Sequence, residues 1–396
     1  MKDLDIKYDS RPRGNHMPVS NPLADDPSKW EPGFQGQIDA MVLLAYGREG
    51  HADSADTFLD DEVAKLKVGL TGVGEVVTLQ KGHVLRNEQG QVIEHFGNPD
   101  GVSNPHFMRP DLDKVCREQG GYDRYDTSAP LNLVLAKDPN GGVNEYGTYY
   151  VYRKLRQNIR GYWDKCEELG RRMAGEMAAF RAKVGESEIY EPKLDAEFAN
   201  ALFIGRFKDG TPISEQMVGG TTSLPNNFNF DRDVMARKCP FASHIRKTNP
   251  RLDTTREFGA PATVERSRRI VRRGISYGDE DLNPTQEWTD AGLLFLSCQS
   301  NIEYHFIFIQ HAWCNNQVFL KHETGLDPIC GVPFNNETSV PQKWPLRWGL
   351  PHGSVAGGAD GSEEDVEFLM HDVVRMQGGE YFFAPGRNFL ISMTGK

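Results

Sequence analysis

The sequence predicts an α+β protein made of two units that divide near residue 140. In the first unit, strand-like apolar runs at 38–46 and 74–80 flank a helical pattern that starts at about Ser54. In the second unit, a strand-like run at 147–158 with alternating aromatic residues leads into a long helical pattern over 162–185. Helix and strand patterns that alternate in this way are typical of mixed α and β packing.

The elements of the first unit predict a β-α-β arrangement closed by the polar turn 86–91. The helix between the two strands has an apolar face, which would cover a sheet. That face is formed by Leu59, Val63, Leu66 and Leu70.

The second unit continues with three further apolar segments. Residues 292–299 predict a buried strand, residues 301–316 a helix, and residues 380–393 a late strand pair interrupted at Pro385-Gly386. The stretch 356–365 is rich in Gly and acidic residues, and it predicts a flexible acidic loop.

Composition narrows the class of protein. The 396 residues, 38% of them hydrophobic, are enough to bury a core. The 45 basic and 56 acidic residues give a net charge of −11, which argues against binding to nucleic acid or to an anionic membrane through bulk charge. A small neutral or cationic partner fits this charge better.

The cysteines and the N-terminus predict a soluble cytoplasmic protein. Six cysteines are scattered without a C-x-x-C pair, so neither a zinc site nor a disulfide framework is indicated. The N-terminus is polar and rich in proline, and the sequence contains no stretch of 18 apolar residues, so we expect neither an export signal nor a membrane anchor in this chain.

Asp100 stands in a run of turn-forming residues, "EHFGNPDGVSNP" at 94–105. Asp100-Gly101 behind Pro99 is typical of a tight turn, in which the aspartate caps its own backbone. A catalytic role for the carboxylate would require partner residues elsewhere in the chain. Both interpretations remain open from this stretch alone.

His244 lies in a cationic segment, "KCPFASHIRKTNPR" at 238–251. A single histidine is more often a hydrogen-bonded structural residue than a ligand. Neighbouring Arg246, Lys247 and Arg251 favour the neutral imidazole, however, and neutral imidazole is the form that binds a metal. The same cations suit the carboxylates of a cofactor.

A second basic segment, "RRIVRRGISYG" at 268–278, predicts a short strand. Because side chains alternate along a strand, Arg272 and Arg273 face opposite ways, so that one can enter a site while the other is solvated. A charged surface strand is the alternative.

Taken together and in order, these three segments resemble the motifs of the dye-decolourising (DyP-type) haem peroxidases. "HFGNPDGVSNP" is similar to their Gly-x-x-Asp-Gly motif, "CPFASHIRKTNPR" to the segment of their haem-ligating histidine, and "IVRRGISYG" to the segment of their distal arginine. The resemblance extends from about residue 25 to the C-terminus.

The resemblance implies two ferredoxin-like halves, each an antiparallel sheet with helices, at 1–140 and 141–396. The C-terminal half would hold haem b facing the cleft. Chains of this family carry a further strand and helix before the apolar run at 38–46, so we expect an incomplete N-terminal half with an exposed core face.

The resemblance also implies roles for single residues. His244 falls on the proximal iron ligand, Asp100 on the distal acid and Arg272 on the distal arginine. Arg246 and Arg251 correspond to residues near the haem propionates. Asp327 corresponds to the carboxylate that hydrogen-bonds the other ring nitrogen of the proximal histidine. The implied cofactor-binding set is His244, Arg246, Arg251, Arg272, Leu294, Leu296 and Asp327.

The implied function is a peroxidase that reduces hydrogen peroxide and, through a ferryl intermediate, oxidises bulky aromatic donors such as dyes and phenolics. A porphyrin-processing enzyme of the deferrochelatase type and a haem carrier without turnover are the alternatives. For donors too large to reach the haem, Tyr277 and Trp313 predict a surface electron relay, although both fit ordinary packing aromatics as well. The sequence does not indicate an oligomeric state.

Overall fold

The protein is described by a computed structural model over most of its length. The described residues are 23, 25–47, 52–118, 121–139, 141–184, 192–220, 226–333, 339–349 and 365–393. The predicted acidic loop at 356–365 lies outside this part of the chain except for Asp365.

A six-stranded antiparallel sheet forms the centre of the molecule, with the order β10-β4-β7-β5, and with β3 on β4 and β6 on β7. Two small two-stranded sheets pair β1 with β2 and β8 with β9. The strands are β1 Leu85–Arg86, β2 Val92–Ile93, β3 Ala136–Lys137, β4 Tyr146–Gln157, β5 Val271–Arg272, β6 Ile275–Gly278, β7 Ala291–Gln299, β8 Gln342–Pro345, β9 Asp365–Phe368 and β10 Val374–Ala384.

Eight α-helices surround this sheet among the described residues, and two consecutive π-helical segments, Glu303–Ile307 and Ile309–Cys314, follow β7. The α-helices are α1 Ala52–Gly69, α2 Arg109–Glu118, α3 Ile159–Val184, α4 Ala196–Ile204, α5 His244–Thr248, α6 Asp253–Phe258, α7 Ala262–Arg266 and α8 Arg387–Met393. Short 3-10 turns occupy Pro27–Lys29, Pro32–Phe34 and Leu131–Leu133.

Four predictions for the second unit are confirmed. The strand-like run at 147–158 is β4, and the long helical pattern that follows is α3. The apolar run at 292–299 is β7, and residues 301–316 are helical in π rather than α geometry. The fold class, α+β with antiparallel sheets, is confirmed as well.

The largest core lies between α3 and α4 and continues to β8 and β9. Leu169 and Met173 of α3 are fully buried with Leu202 and Phe203 of α4. α4 begins at Asp195, whose carboxylate accepts from two backbone N–H groups of the first turn, 3.1 Å each. The core therefore fixes α4 and the chain after it, which turns back toward the central sheet.

The predicted strands of the first unit are wrong. Residues 38–46 and 74–80 form no strand, and Val42 and Leu43 are 58% and 67% exposed. A strand needs a hydrogen-bonded neighbour, and none is present for these runs among the described residues. The helix between them forms as α1, and its predicted apolar face is its less exposed side.

The late strand pair at 380–393 is wrong in its second half. β10 ends at Ala384, and the chain then enters α8. The last β10 pair is Ala384 with Thr148, and two residues later the Gly386 N–H donates to the Asp138 carboxylate at 2.6 Å.

Three further predictions are not tested. The division at residue 140 stays a prediction; β3 and β4, which flank it, pair with each other in the central sheet. None of the described helices is long and apolar enough to cross a membrane. Cytoplasmic location and an incomplete N-terminal half also stay predictions.

Candidate active site

One large cavity brings the three sequence motifs together. Its volume is about 990 Å³, and it is lined by the loop 94–104, by α5, by β5 and by residues of β7. Asp100, Arg272 and His244 all line it. Asp100 precedes His244 by 144 residues and Arg272 by 172 residues, so the fold brings the first motif to the other two.

Asp100 forms an ion pair with Arg272 inside this cavity. The side chains are 15% and 34% exposed, so solvent screens the pair only in part. The Gly101 N–H donates to the same carboxylate at 2.8 Å. Both interpretations of this stretch therefore apply. Asp100 caps a tight turn, and it also pairs with an arginine from elsewhere in the chain, as a catalytic role would require.

The backbone of the loop explains the direction of Asp100. Gly97 and Gly101 have φ of 87° and 74°, a region that disfavours residues with a side chain. The Asp100 N–H donates to the Val92 carbonyl at 3.1 Å, which ties the acid to the end of β2. The loop thus folds back on itself and presents the carboxylate to the cavity.

Arg272 is oriented by Asn104. The Asn104 side chain accepts from the Arg272 N–H at 2.9 Å and donates to the Arg272 carbonyl at 3.2 Å. Arg272 pairs with Ser297 in the central sheet, and Arg273 is exposed. The prediction that the two arginines face opposite ways is confirmed.

His244 is the first residue of α5, and its imidazole is oriented by Asp327. Nδ1 of the ring lies 2.9 and 3.0 Å from the two carboxylate oxygens of Asp327. Asp327 is fully buried and accepts from the N–H groups of Ile329 and Cys330 at 2.8 and 2.9 Å. With Nδ1 engaged, Nε2 is the nitrogen of His244 that is left to bind a metal.

The two charges of this pair stabilise each other. Burial alone would lower the pKa of His244, but the adjacent Asp327 carboxylate raises it to about 10. Burial likewise opposes ionisation of Asp327, and its contact with His244 nevertheless holds its pKa below the ordinary value. A metal at Nε2 would take the place of the proton and keep the same carboxylate partner.

Two buried arginines lie at another wall of the cavity. Arg251 donates to the carbonyls of Asn226 and Phe228 at 2.9 and 2.7 Å and to the Asn226 side chain at 2.6 Å. Burial lowers its pKa to about 10. Arg206 shares the Asn226 oxygen at 3.1 Å, and burial lowers its pKa to about 9. Two cations held this close favour an anionic ligand.

Arg251 has no anionic partner in the part of the chain that the structure describes. Among the described residues no carboxylate pairs with it, and its Nε is buried without a hydrogen-bond partner. A buried donor that is left unsatisfied is costly, and an anionic ligand would relieve this cost.

Arg246, predicted near the propionates, lies elsewhere. It is fully buried, does not line the cavity, and forms ion pairs with Asp233 and Asp253 at 3.0 and 2.7 Å. α5 separates it from His244, because residues two apart on a helix face different sides. Arg246 is a structural ion-pair residue, and Arg206 stands in the cavity in its place.

Leu294 and Leu296 do not line the cavity either. Leu293 and Phe295 do, and Leu294 faces away toward Ile275 of β6. Each predicted position is one residue too far along the chain, and neighbouring residues of a strand face opposite sides of the sheet. The cavity therefore has an aromatic residue of β7, Phe295, in its lining.

Tyr277 and Trp313 are both buried, with 4% and 6% exposure, and neither lines the cavity. The Lys154 ammonium lies 4.7 Å from the Tyr277 ring centre, and Trp313 packs against Phe308 and Phe319. Neither ring exposes more than 6% of its surface, so neither forms an exposed entry point for electrons, and a relay through this pair stays a prediction.

Arg206 and Asn104 were missed as site residues. The segment "IGRFKDGTP" at 204–212 could have indicated Arg206, because it resembles a segment of the same family. Asn104 gave no signal, because its role depends on a contact with Arg272, 168 residues away.

Comparison with known proteins agrees with this geometry. The chain is 36% identical over 380 residues to the multifunctional dye peroxidase DyP2 of Amycolatopsis sp., covering 92% of this chain and 73% of that protein. It is 28% identical to the dye-decolorizing peroxidase msp1 of Mycetinis scorodonius, with 93% and 69% coverage. The sequence matches no family model.

Solved structures are similar as well. The DyP-type peroxidase of Anabaena sp. superposes with a TM-score of 0.77 at 34% identity, covering 95% of this chain and 73% of that one. DyP2 from Amycolatopsis sp. superposes with a TM-score of 0.74 at 33% identity, with 94% and 75% coverage.

The fold and the cavity define a haem-dependent peroxidase. The chain belongs to the dye-decolourising peroxidase family.

Proposed function

We propose that the protein binds haem b in the cavity between His244 and the Asp100–Arg272 pair, reduces hydrogen peroxide there, and oxidises bulky aromatic donors such as dyes and phenolics. The observation that carries this proposal is that a carboxylate-oriented histidine and an Asp–Arg ion pair line one cavity. The names of the relatives support the donor class.

The cavity residues fit haem b. A flat porphyrin requires apolar walls, and the aliphatic and aromatic residues of the lining include Ile204, Ile245, Leu293, Phe295, Phe306, Ile309, Ile329 and Val332. Arg251, with its unsatisfied Nε, suits a propionate, and Nε2 of His244 suits the iron. When bound, haem supplies an iron that exchanges electrons with peroxide and with donors.

Asp100 is the proton-transfer group of this proposal. Peroxide must lose a proton from one oxygen and gain one on the other before the O–O bond breaks, and one carboxylate can do both. The hydrogen bond from Gly101 and the ion pair with Arg272 hold the carboxylate in the cavity, where it can accept the first proton.

Arg272 stabilises negative charge on the departing oxygen. Its guanidinium lies beside Asp100, and Asn104 fixes its backbone in place. Asp327 has a separate role on the other side of the site, since it keeps His244 in one orientation and increases the electron density on the imidazole.

A haem titration with His244→Ala tests the proposal. Wild-type protein should bind one equivalent of haem with the spectrum of a histidine ligand, whereas His244→Ala should lose stoichiometric binding or give a spectrum without that ligand. His371, the other histidine that lines the cavity, supplies the matched control His371→Ala, which should bind as the wild type does. An unchanged spectrum in His244→Ala would refute the ligand assignment.

The carrier alternative gains no support from the site. A carrier needs a ligand and apolar walls but not a carboxylate paired with an arginine on the peroxide side. Turnover of an anthraquinone dye by the wild type with peroxide, and its loss in Asp100→Asn with haem still bound, would exclude a carrier.

A further inference from the structure

Glu94 is a second carboxylate of the cavity, six residues before Asp100, and the mechanism above leaves it without a role. It is partly buried and lines the cavity together with Phe96, Asn98 and Asp100. Among the described residues no lysine, arginine or histidine donates to it. A buried carboxylate without a cation must be stabilised by hydrogen bonds.

Four donors surround the Glu94 carboxylate. Oε2 accepts from the Phe96 N–H at 2.8 Å and from the Gln157 side chain at 2.7 Å. Oε1 accepts from the N–H and the side chain of Asn98 at 3.0 and 3.2 Å. Burial raises the pKa of Glu94, but these donors all favour the charged form.

The donors lie on two different elements. Phe96 and Asn98 belong to the loop that carries Asp100, whereas Gln157 is the last residue of β4 in the central sheet. Glu94 thus closes the loop on itself and anchors it to the sheet. The backbone adds a bond from the Glu94 N–H to the Asn98 carbonyl at 3.1 Å.

We propose that Glu94 is a positioning residue for Asp100: its carboxylate fixes the loop 94–100 in the conformation that holds Asp100 against Arg272. This inference rests on the proposed role of Asp100. Glutamine at this position would turn an NH₂ group toward at least one pair of donors, so two of the four hydrogen bonds would be lost.

Glu94→Gln in the haem-loaded protein tests this inference. We expect kcat/KM for peroxide to fall about tenfold to a hundredfold, because small displacements of a reacting group cost factors of this size. Haem stoichiometry and kcat/KM for a small aromatic donor should not change. Amide hydrogen exchange in the peptide 94–101 should become faster, which gives a readout that is independent of turnover.

The matched control is Glu197→Gln. Glu197 is also partly buried, and it accepts one backbone N–H, from Lys208 at 2.9 Å, without lining the cavity. It should change neither the peroxide step nor exchange in 94–101.

The double variant Glu94→Gln/Asp100→Asn separates positioning from a direct role. If Glu94 acts through Asp100, adding Glu94→Gln to Asp100→Asn should reduce kcat/KM for peroxide by less than about twofold. Equal losses in both backgrounds would overturn the inference, since Glu94 would then act independently. Unchanged amide exchange and an unchanged peroxide rate in Glu94→Gln would also overturn the inference. If instead Asp100 itself has no role in the peroxide step, Asp100→Asn would react at the wild-type rate.

Discussion

Asp100 and Arg272 contribute differently to the barrier of the peroxide step, although they form one ion pair. Asp100→Asn removes the group that moves the proton, so the rate should fall by about 10² to 10⁴. Arg272→Leu removes charge stabilisation, and the rate should fall by about 10² to 10³. Rapid mixing of the haem-loaded variants with peroxide measures both. If Asp100→Asn reacted at the wild-type rate, Asp100 would be only a turn residue.

Arg251 and Arg246 have similar sequence surroundings but different expected phenotypes. Arg251→Leu should weaken haem binding about tenfold to a hundredfold, through the loss of one charge-assisted hydrogen bond, and it should destabilise the fold less than Arg246→Leu because it leaves no buried carboxylate without its cation. Arg246→Leu should leave Asp233 and Asp253 buried without their cation and destabilise the fold by about 3–5 kcal/mol. Haem titration and urea unfolding of both variants measure the contrast. Equal haem affinity in Arg251→Leu and the wild type would exclude the propionate contact.

Residues that line the cavity were predicted correctly where a sequence motif fixes their positions. They were predicted wrongly where the result depends on which face of a strand a side chain occupies. His244, Asp100 and Arg272 were found because three ordered segments match one family. Leu294 and Leu296 were misplaced because the motif does not state which face of β7 is the cavity face. The pairing of β7 with β6 and β4 sets that face, and it depends on residues far away in sequence.

At the scale of elements, β7 separates the cavity from the core behind it. Phe295→Ala should enlarge the cavity and alter reactivity toward donors, with a modest loss of stability because Phe295 is only half-buried. Leu294→Ala should cost about 2–5 kcal/mol of stability and leave donor selectivity unchanged, because Leu294 is 7% exposed on the other face. Urea unfolding, together with the turnover of a small and of a bulky donor, distinguishes the two variants. The reverse pattern would mean that the face of β7 is assigned wrongly.

Within α5, Lys247 makes stability depend on pH. Its ammonium is buried and donates to the carbonyls of Asn316 and Gly325 at 2.8 and 2.5 Å, and burial lowers its pKa to about 8 from 10.5. Between these two values the unfolded chain holds a proton that the folded protein does not. The free energy of unfolding therefore rises with pH across this window, by about 3 kcal/mol in total.

Lys247→Met provides the test, because methionine does not titrate. The stability of the wild type relative to Lys247→Met should be constant below pH 8 and increase between pH 8 and 10.5. Urea unfolding of both proteins over this range measures the difference. A difference that is constant up to pH 10.5 would show that Lys247 keeps its ordinary pKa in the folded protein.

At the scale of the whole molecule, the central sheet and the N-terminal segment behave differently. β4 and β7 were predicted correctly because β4 has alternating aromatic residues, β7 is apolar, and both find partners in the sheet. The runs at 38–46 and 74–80 have equally strong strand patterns but no neighbouring strand among the described residues. Pattern alone predicts the capacity to form a strand, whereas pairing depends on what else the fold supplies.

The cavity itself is a property of the whole molecule. Its lining comes from the loop 94–104, α5, β5, β7 and the turn 329–333, and the central sheet holds these parts together. Composition and periodicity predicted none of this convergence. Only the order of the motifs, through the resemblance, indicated that these segments share one site.

The most direct test of the account is to mix the haem-loaded protein with one equivalent of hydrogen peroxide and to follow absorption on the millisecond scale. A peroxidase should show a rapid transient change that an aromatic donor reverses, and Asp100→Asn should slow its formation by about 10² to 10⁴. Gradual bleaching without a transient, identical in the wild type and in Asp100→Asn, would contradict the account.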